Sequence, residues 1–437
     1  MLKKIFFVLS VCFLAIVVSG DAMAWTEGLP KAPGWAEGPE IPWLKGPARY
    51  RGPAAGFNEA IEHAKVLNSW GYGARPIEEI KDLLPPEFYA VIADPEKWGQ
   101  FRVNEIENIP VPEKGTLYGK YMDLTRKHEG KCSLDENGSL MNYVGGRPFP
   151  GADPEKDIMK VMWNWEKRYY SDDRNGPFTP SNIDASGNVR TAYSENLLFK
   201  FDGRLACDPK PVYKPNPKGI NYTFSTPFIT PYQVAGTIPL TYRYYAADKP
   251  DDMWMYIPAM RRVRRMSTAQ RQDRMPFGMN FIWDTNEGFQ GKLEKWTWKF
   301  IGKKEMLSCA KASCMSQVDV TGHFTGVDQR YHRTVLWIIE GTPDKAVTLS
   351  KIKLYIDPEV LYVPYSVNYD IKGRPWFVQY YAWAPDADWM FISHNMISID
   401  VQRKYSTRVP LTYYVTNEGQ TAEDYTMQAL KAEYLRR

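Results

Sequence analysis

The chain has 437 residues, with 55 Lys and Arg against 51 Asp and Glu, a formal net charge of +4 at pH 7. That near balance leaves no polyanion footprint and excludes a general nucleic-acid binder. Aromatics reach 14%, with 15 Trp and 28 Tyr, which favours half-buried β-sheet and surfaces that meet apolar or sugar ligands.

Residues 1–24 follow the plan of a secretory signal. Lys3 and Lys4 supply the positive start, Ile5 to Val18 the apolar run, and Ala22-Met23-Ala24 the small-x-small cleavage pattern. The run is shorter than the ~20 residues that span a bilayer, so a cleaved signal peptide is the expectation. The mature chain, starting at Trp25, is then exported to the periplasm of a Gram-negative-type envelope. From Trp25 to about Gly56 the chain is rich in Pro and Gly and reads as an extended arm, with Trp35 and Trp43 as anchors. Ile61, Ala64 and Leu67 share one helical face. Pro76 opens a short helix carrying Ile77, Ile80 and Leu84, which Pro85 stops. A longer helix is predicted from Asp153-Pro154, with Ile158, Val161, Met162 and Trp165 as its buried stripe.

Beyond about Asn221 the period switches to 2. Trp296, Trp298 and Phe300 alternate with Lys295, Thr297 and Lys299, and similar alternation runs through Ile352–Ile356 and Ile397–Val401. The apolar run from Val335 to Ile339 fits a strand covered on both sides. Asp370-Ile371-Lys372-Gly373 is a hairpin signal. No helix-length segment separates successive strands, so one long, curved antiparallel sheet is predicted. A closing helix starts near Thr421, with Asp424 as its capping partner.

Four cysteines follow the signal: Cys132, Cys207, Cys309 and Cys314. An even count in an oxidising compartment suggests disulfides, and chain proximity makes Cys309–Cys314 the favoured bridge, with Cys132–Cys207 the remaining option. The histidines are scattered singly; His323 and His332, with Asp319, come nearest to one another but lack metal-ligand spacing, so no metal is expected. Gly71-Tyr72-Gly73 is a turn rather than a dinucleotide fingerprint, and no phosphate loop or nucleophile elbow occurs. Ser350 and Lys353 match a catalytic S-x-x-K by letters but alternate to opposite faces of a strand. Asp172-Asp173 and Asp251-Asp252 read as turn or cap doublets rather than a glycosidase pair. No catalytic residue and no cofactor is expected.

The sharpest local feature runs from Asp251 to Arg265. A strand with Trp254 and Tyr256 on one face and Met253, Met255 and Ile257 on the other leads into Arg261, Arg262, Arg264 and Arg265. With Arg271 and Arg274, residues 261–274 hold six Arg against one Asp. Such a run suits anionic lipid head groups, a carboxylate ligand or an acidic partner; equally, it suits a solvated edge that discourages strand pairing.

Trp254 to Arg265, Phe289-Gln290-Gly291, and Trp298-Lys299-Phe300-Ile301-Gly302-Lys303-Lys304-Glu305-Met306 together resemble the periplasmic family catalogued as domain of unknown function 1329. Gly146-Arg147-Pro148-Phe149-Pro150, Trp163-Asn164, His332-Arg333 and Tyr369-Asp370 through Gly373 to Trp376 extend the resemblance over roughly 140–400. The cysteine insert after Met306 and the N-terminal region depart from it. The resemblance implies a mainly β fold similar to LolA and LolB, a half-open antiparallel β-barrel with covering helices around an apolar cavity. It also implies a label of outer-membrane lipoprotein sorting, and company with inner-membrane exporters and outer-membrane proteins. It supplies no catalytic residues.

The expected organisation is a signal peptide over 1–24, an irregular Pro/Gly-rich and helical wrapping region over 25–140, and a LolA/LolB-like domain over 141–437. The expected function is a carrier of a lipid, an acyl chain or another hydrophobic molecule, associated with the outer membrane. Trp254, Tyr256, Arg261, Arg262, Arg264, Arg265, Trp296 and Trp298 are its candidate ligand contacts. A glycan-binding or carbohydrate-active protein and a structural adaptor of an envelope transporter are the alternatives.

Overall fold

Strand is the commonest regular structure in this chain, built where apolar positions alternate. In the computed structural model the described residues are 36–37, 49–50, 64–111, 114–169, 171–311, 326–385, 391–410, 415–416 and 420–435. The signal segment, Trp35, Trp43, Ile61, Asp319 and His323 lie outside them, as does Cys314 and with it the expected Cys309–Cys314 bridge. Among the described residues no helix is long and apolar enough to cross a membrane.

The strands of the two large sheets begin with β1 (Val66–Gly71), β2 (Phe101–Ile106), β3 (Asp173–Phe178), β4 (Ser181–Ile183), β5 (Val189–Thr191) and β6 (Tyr193–Lys200). Then come β7 (Ile220–Ser225), β8 (Phe228–Thr230), β9 (Ile238–Tyr244), β10 (Asp252–Ile257) and β11 (Arg262–Arg265). The last group is β12 (Trp296–Ser308), β13 (Gly326–Pro343), β14 (Leu349–Ile356), β15 (Tyr365–Asp370), β16 (Pro375–Pro385), β17 (Phe391–Asp400), β18 (Tyr405–Pro410) and β19 (Val415–Thr416). Among the described residues, the α-helices of seven residues or more are α1 (Pro86–Ile92), α2 (Leu117–His128), α3 (Ile158–Glu166) and α4 (Met427–Tyr434).

An eleven-stranded sheet runs β1-β2-β13-β14-β15-β16-β17-β18-β4-β5, with β12 also paired to β13. An eight-stranded sheet runs β11-β10-β9-β7-β6-β3-β19, with β8 on β6. Neither path closes on itself, so the molecule is mainly β with open sheets and helices laid over them, as expected of a half-open barrel. The single long sheet is corrected to two. Strands from 220 to 265 pair back onto β6, whose other side holds β3, instead of continuing into β12. Among the described strands one pair is parallel: β2 lies alongside β13, with Val103 opposite Gln329 and Ile106 opposite His332.

Three further expectations shift. Leu67 lies exposed in β1 rather than on a helix, while Trp70 of the same strand turns inward. The helix predicted from Asp153 begins at Ile158, because Asp157 caps it by accepting from the Lys160 N–H at 3.4 Å; Val161, Met162 and Trp165 are buried as the stripe requires. Within β13, Leu336 and Ile339 are buried but Val335 is exposed, so that run is only partly covered. At the C-terminus the Thr421–Asp424 capping box forms, with Thr421 N–H donating to Asp424 Oδ2 at 2.9 Å, and Thr426 then caps α4.

Among the described residues, the three largest apolar clusters lie on the faces of the two large sheets. One joins the two sheets, built from α3, the irregular 275–293 segment, Phe224 and Phe228 on one side, and Ile339, Leu354, Phe377 and Trp383 on the other. A second covers the opposite face of the eleven-stranded sheet beneath residues 77–98. The third packs α4 on the outer face of the eight-stranded sheet.

Candidate functional site

The second cluster has the most distinctive surface. Period-2 alternation along β15 sends Tyr365, Val367 and Tyr369 to one face, where Tyr355 of β14, Tyr380 of β16 and Tyr331 of β13 join them. Onto this tyrosine-rich face the chain lays a stepped helical cover. Pro76, Pro85-Pro86 and Pro95 each restart it, giving a 3-10 turn over Ile77–Leu83, then α1, then one turn at Pro95–Trp98. Phe88 of α1 inserts into the tyrosines. Its ring stacks on Tyr380 at 5.5 Å, tilts against Tyr365 at 4.9 Å and meets Phe101 edge-on at 5.9 Å. The polar ties of α1 to the sheet run through Glu87, which accepts from Tyr369 OH at 2.5 Å and lies 3.5 Å from Lys353 Nζ.

The hydroxyls at the edge of this face are held by the protein: Tyr365 OH donates to the Leu307 carbonyl at 2.8 Å and Tyr380 OH to Gln329 at 2.9 Å. Cys309 is buried beside them, with Sγ 3.2 Å from the Tyr381 carbonyl, and burial pushes its thiol pKa up. It is a packed thiol rather than a nucleophile poised as thiolate.

The residues singled out from sequence occupy three different places. Trp296 and Trp298 stack on each other at 6.1 Å and both meet Phe289 edge-on, buried between the sheets. Trp298 Nε1 donates to the Leu293 carbonyl at 3.0 Å, so the indole is satisfied internally. Both faces of β10 turn inward: Met253 joins the inter-sheet core, whereas Tyr256 is buried in the outer cluster and half-buried Trp254 sits edge-on to Tyr242 at 5.0 Å. Arg261, Arg262, Arg264 and Arg265 are exposed on or beside β11, the last strand of its sheet.

The arginine run divides. Arg271 and Arg274 turn inward, Arg271 bridging Asp251 at 2.9 Å and Asp284 at 2.6 Å, and Arg274 reaching Asp400 at 2.7 Å. The aspartate doublets are consumed in the same way. Asp251 also pairs with Arg243 at 2.8 Å and Asp252 with Arg265. Asp172 accepts three backbone N–H groups, from Leu205, Ala206 and Cys207, at 2.7–2.8 Å. His332 lies buried 3.5 Å from Asp357, and among the described residues no His, Cys, Asp and Glu cluster could hold a metal ion.

A small cavity of about 30 Å³ opens beside α3, with Glu166, Lys167, Arg243 and Lys292 among its polar lining and Trp163 and Leu293 among its apolar lining. Lys167 Nζ donates to Asp202 at 2.7 Å and Asn221 at 3.0 Å, under the Tyr143 ring at 4.6 Å. Burial raises the Glu166 pKa despite Arg243, Lys167, Arg168 and Lys200 nearby. The space suits about one or two waters and is far too small for an acyl chain.

Phe88 and the tyrosine face were not singled out from sequence. The row Tyr365, Val367, Tyr369 was legible as an alternating face. That a proline-broken helix from residues 86–92 would cover it was not, because no local signal names the partner of a short helix.

The eleven-stranded sheet is thus open, with a tyrosine face beneath short helices, and the exposed arginines stand at the edge of the eight-stranded sheet. Residues 73–431 match the family described as protein of unknown function, DUF1329, and the chain belongs to that family. Similar solved structures include a DUF1329 family protein from Desulfovibrio piger ATCC 29098, at 17% identity and TM-score 0.48, covering 64% of this chain and 100% of that one. A domain from Vibrio parahaemolyticus named for outer membrane lipoprotein sorting is 17% identical with TM-score 0.44, covering 59% and 91%. The LolA superfamily protein NE2245 from Nitrosomonas europaea is 11% identical with TM-score 0.40, covering 60% and 94%. No curated protein matches the sequence.

Proposed function

We infer that this chain is a periplasmic carrier that holds a hydrophobic molecule, an acyl chain being the simplest cargo, against the tyrosine face under α1. The observation that carries this reading is Phe88, an apolar side chain standing where a ligand's apolar group would lie, on a helix whose polar ties to the sheet run through Glu87. Displacing α1 would uncover a continuous apolar surface, and cargo would regain the lost burial at ~25 cal/mol per Å², less ordering costs. No chemical step is required. Trp296 and Trp298, packed against Phe289, serve as the floor of the sheet's other face rather than as stacking platforms for a glycan. An exporter or outer-membrane protein would supply or receive the cargo.

The test is binding of a fluorescent fatty acid to the mature protein after lipid removal, alongside native mass spectrometry of protein taken from the envelope. Phe88→Leu keeps the position apolar but vacates ring volume. It should bind the probe several-fold more tightly than the parent and gain more thermal stability from it. A parent and variant that both fail to bind, together with envelope protein free of extractable lipid, would sink the carrier reading.

A further inference from the structure

The end of the eight-stranded sheet opposite the 245–251 connection gathers three exposed features that the carrier reading leaves unused. Register places Ile238, the first residue of β9, opposite Tyr256 near the end of β10. The 231–237 turn before β9 and the 258–261 turn after β10 therefore lie side by side. A methyl group at Gly236 would come within 3.0 Å of Pro258 and 3.1 Å of Leu435, so the last turn of the described chain adjoins both.

Each feature carries an apolar side chain into solvent. Tyr232 on the first turn is 94% exposed, Met260 on the second 46%, Val263 on β11 43%, and Leu435 after α4 38%. Around them stand Arg261, Arg262 and Arg264, which form no ion pair among the described residues, and Arg265, which pairs with Asp252. Lys431 of α4 lies over the Tyr256 ring at 4.8 Å. From Pro231 to Arg265 the acids are Asp248, Asp251 and Asp252. Asp251 is buried against Arg243, Asp252 is engaged by Arg265, and Asp248 belongs to the connection at the far end.

We propose that this end, formed by the 231–237 turn, the β10–β11 hairpin tip and Leu435, docks the protein onto an anionic lipid bilayer. Isolated apolar side chains on separate turn tips do not form the continuous face that a protein interface buries. They do suit shallow insertion at the boundary between head groups and acyl chains, where tyrosine is favoured and arginines meet phosphates. Charge on the two tips is one-sided, because the acids between Pro231 and Arg265 are engaged or lie at the far end. The surface also lies at an edge strand of the sheet opposite to the tyrosine face, so docking neither needs nor blocks the site under α1.

The test is co-sedimentation of the full mature protein with vesicles of phosphatidylethanolamine, with and without phosphatidylglycerol, and with no cargo added. Binding should require the anionic lipid and weaken at high salt. Arg261→Gln, Arg262→Gln and Arg264→Gln together should lower partitioning by about a hundredfold, at on the order of fivefold per arginine. Tyr232→Ser with Met260→Ser should weaken binding at low and high salt alike, because that contribution is apolar. All these positions are exposed, and circular dichroism checks that folding is kept. Failure to bind anionic vesicles, or equal binding by parent and variants, overturns the proposal while leaving the fatty-acid result untouched. Loss of an acidic envelope protein from pull-downs with the triple variant, without loss of vesicle binding, assigns the arginines to a protein partner and overturns it too.

Discussion

Lys200 and Lys292 show how a buried charge shapes the response of this fold to pH. Burial pulls both ammonium groups down to about 8, from an ordinary value of 10.5. Lys292 donates to the carbonyls of Ala246 and Lys249, the latter at 2.7 Å, and lies near Asp251. Between about pH 8 and 10.5 the unfolded chain therefore binds protons that the folded chain has released, so these lysines make stability rise with pH across that window. Tyrosines act in the opposite sense above pH 10: Tyr121, raised to about 12 by burial, holds its proton in the folded state, and its contribution is lost as pH climbs. The buried Cys309 thiol, pushed up by burial, opposes the lysines above about pH 9, so urea unfolding at steps from about pH 7 to 10 should show a slope that Lys200→Met with Lys292→Met makes less positive. An unchanged slope in the double variant would mean that other groups set it.

Paired strands impose their own tolerances. Gly341 of β13 sits opposite Trp298 of β12, and a β-carbon at 341 would lie 2.6 Å from the indole ring. Glycine is needed there for close approach, since the ring fills the space a side chain would take. Gly341→Ala should cost about 1–3 kcal/mol by overpacking, measured by chemical denaturation. In a Trp298→Phe background the same change should cost less, because the two positions share one contact. Additive losses would show that backbone conformation, not the indole, fixes the requirement.

At the scale of the whole molecule, the two sheets are closed off from outside by different ends of the chain. Residues 77–98 cover the tyrosine face, while α4 covers the outer face of the eight-stranded sheet with Leu430 and Tyr434. Tyr434 also donates its hydroxyl to Glu195 of β6. Ending the chain at Thr426 removes those two side chains and uncovers Phe199, Ile238 and Tyr256. Each fully buried apolar side chain lost is worth on the order of 1.5–3 kcal/mol, so the truncated protein should melt earlier and bind a hydrophobic dye. An unshifted melting temperature would show that α4 rests on the sheet without stabilising it.

Much of the element content was legible in the sequence, because it rests on local rules. Period-2 alternation located β12, β14 and β17; the 158–165 stripe located α3; and the Thr421–Asp424 pair located the C-terminal capping box. The family was legible for a related reason: its motifs are short, ordered along the chain and independent of how distant parts meet. Partnership was not legible. That β7–β11 would fold back on β6, that β2 would lie parallel to β13, and that Arg271 and Arg274 would leave the arginine run for Asp251, Asp284 and Asp400 are all long-range outcomes. Local patterning set the strands, their apolar faces and the placing of charge along the chain. Which face met which cover was settled by long-range packing, because hydrophobic burial is non-directional and any apolar face satisfies another until the whole chain competes for it.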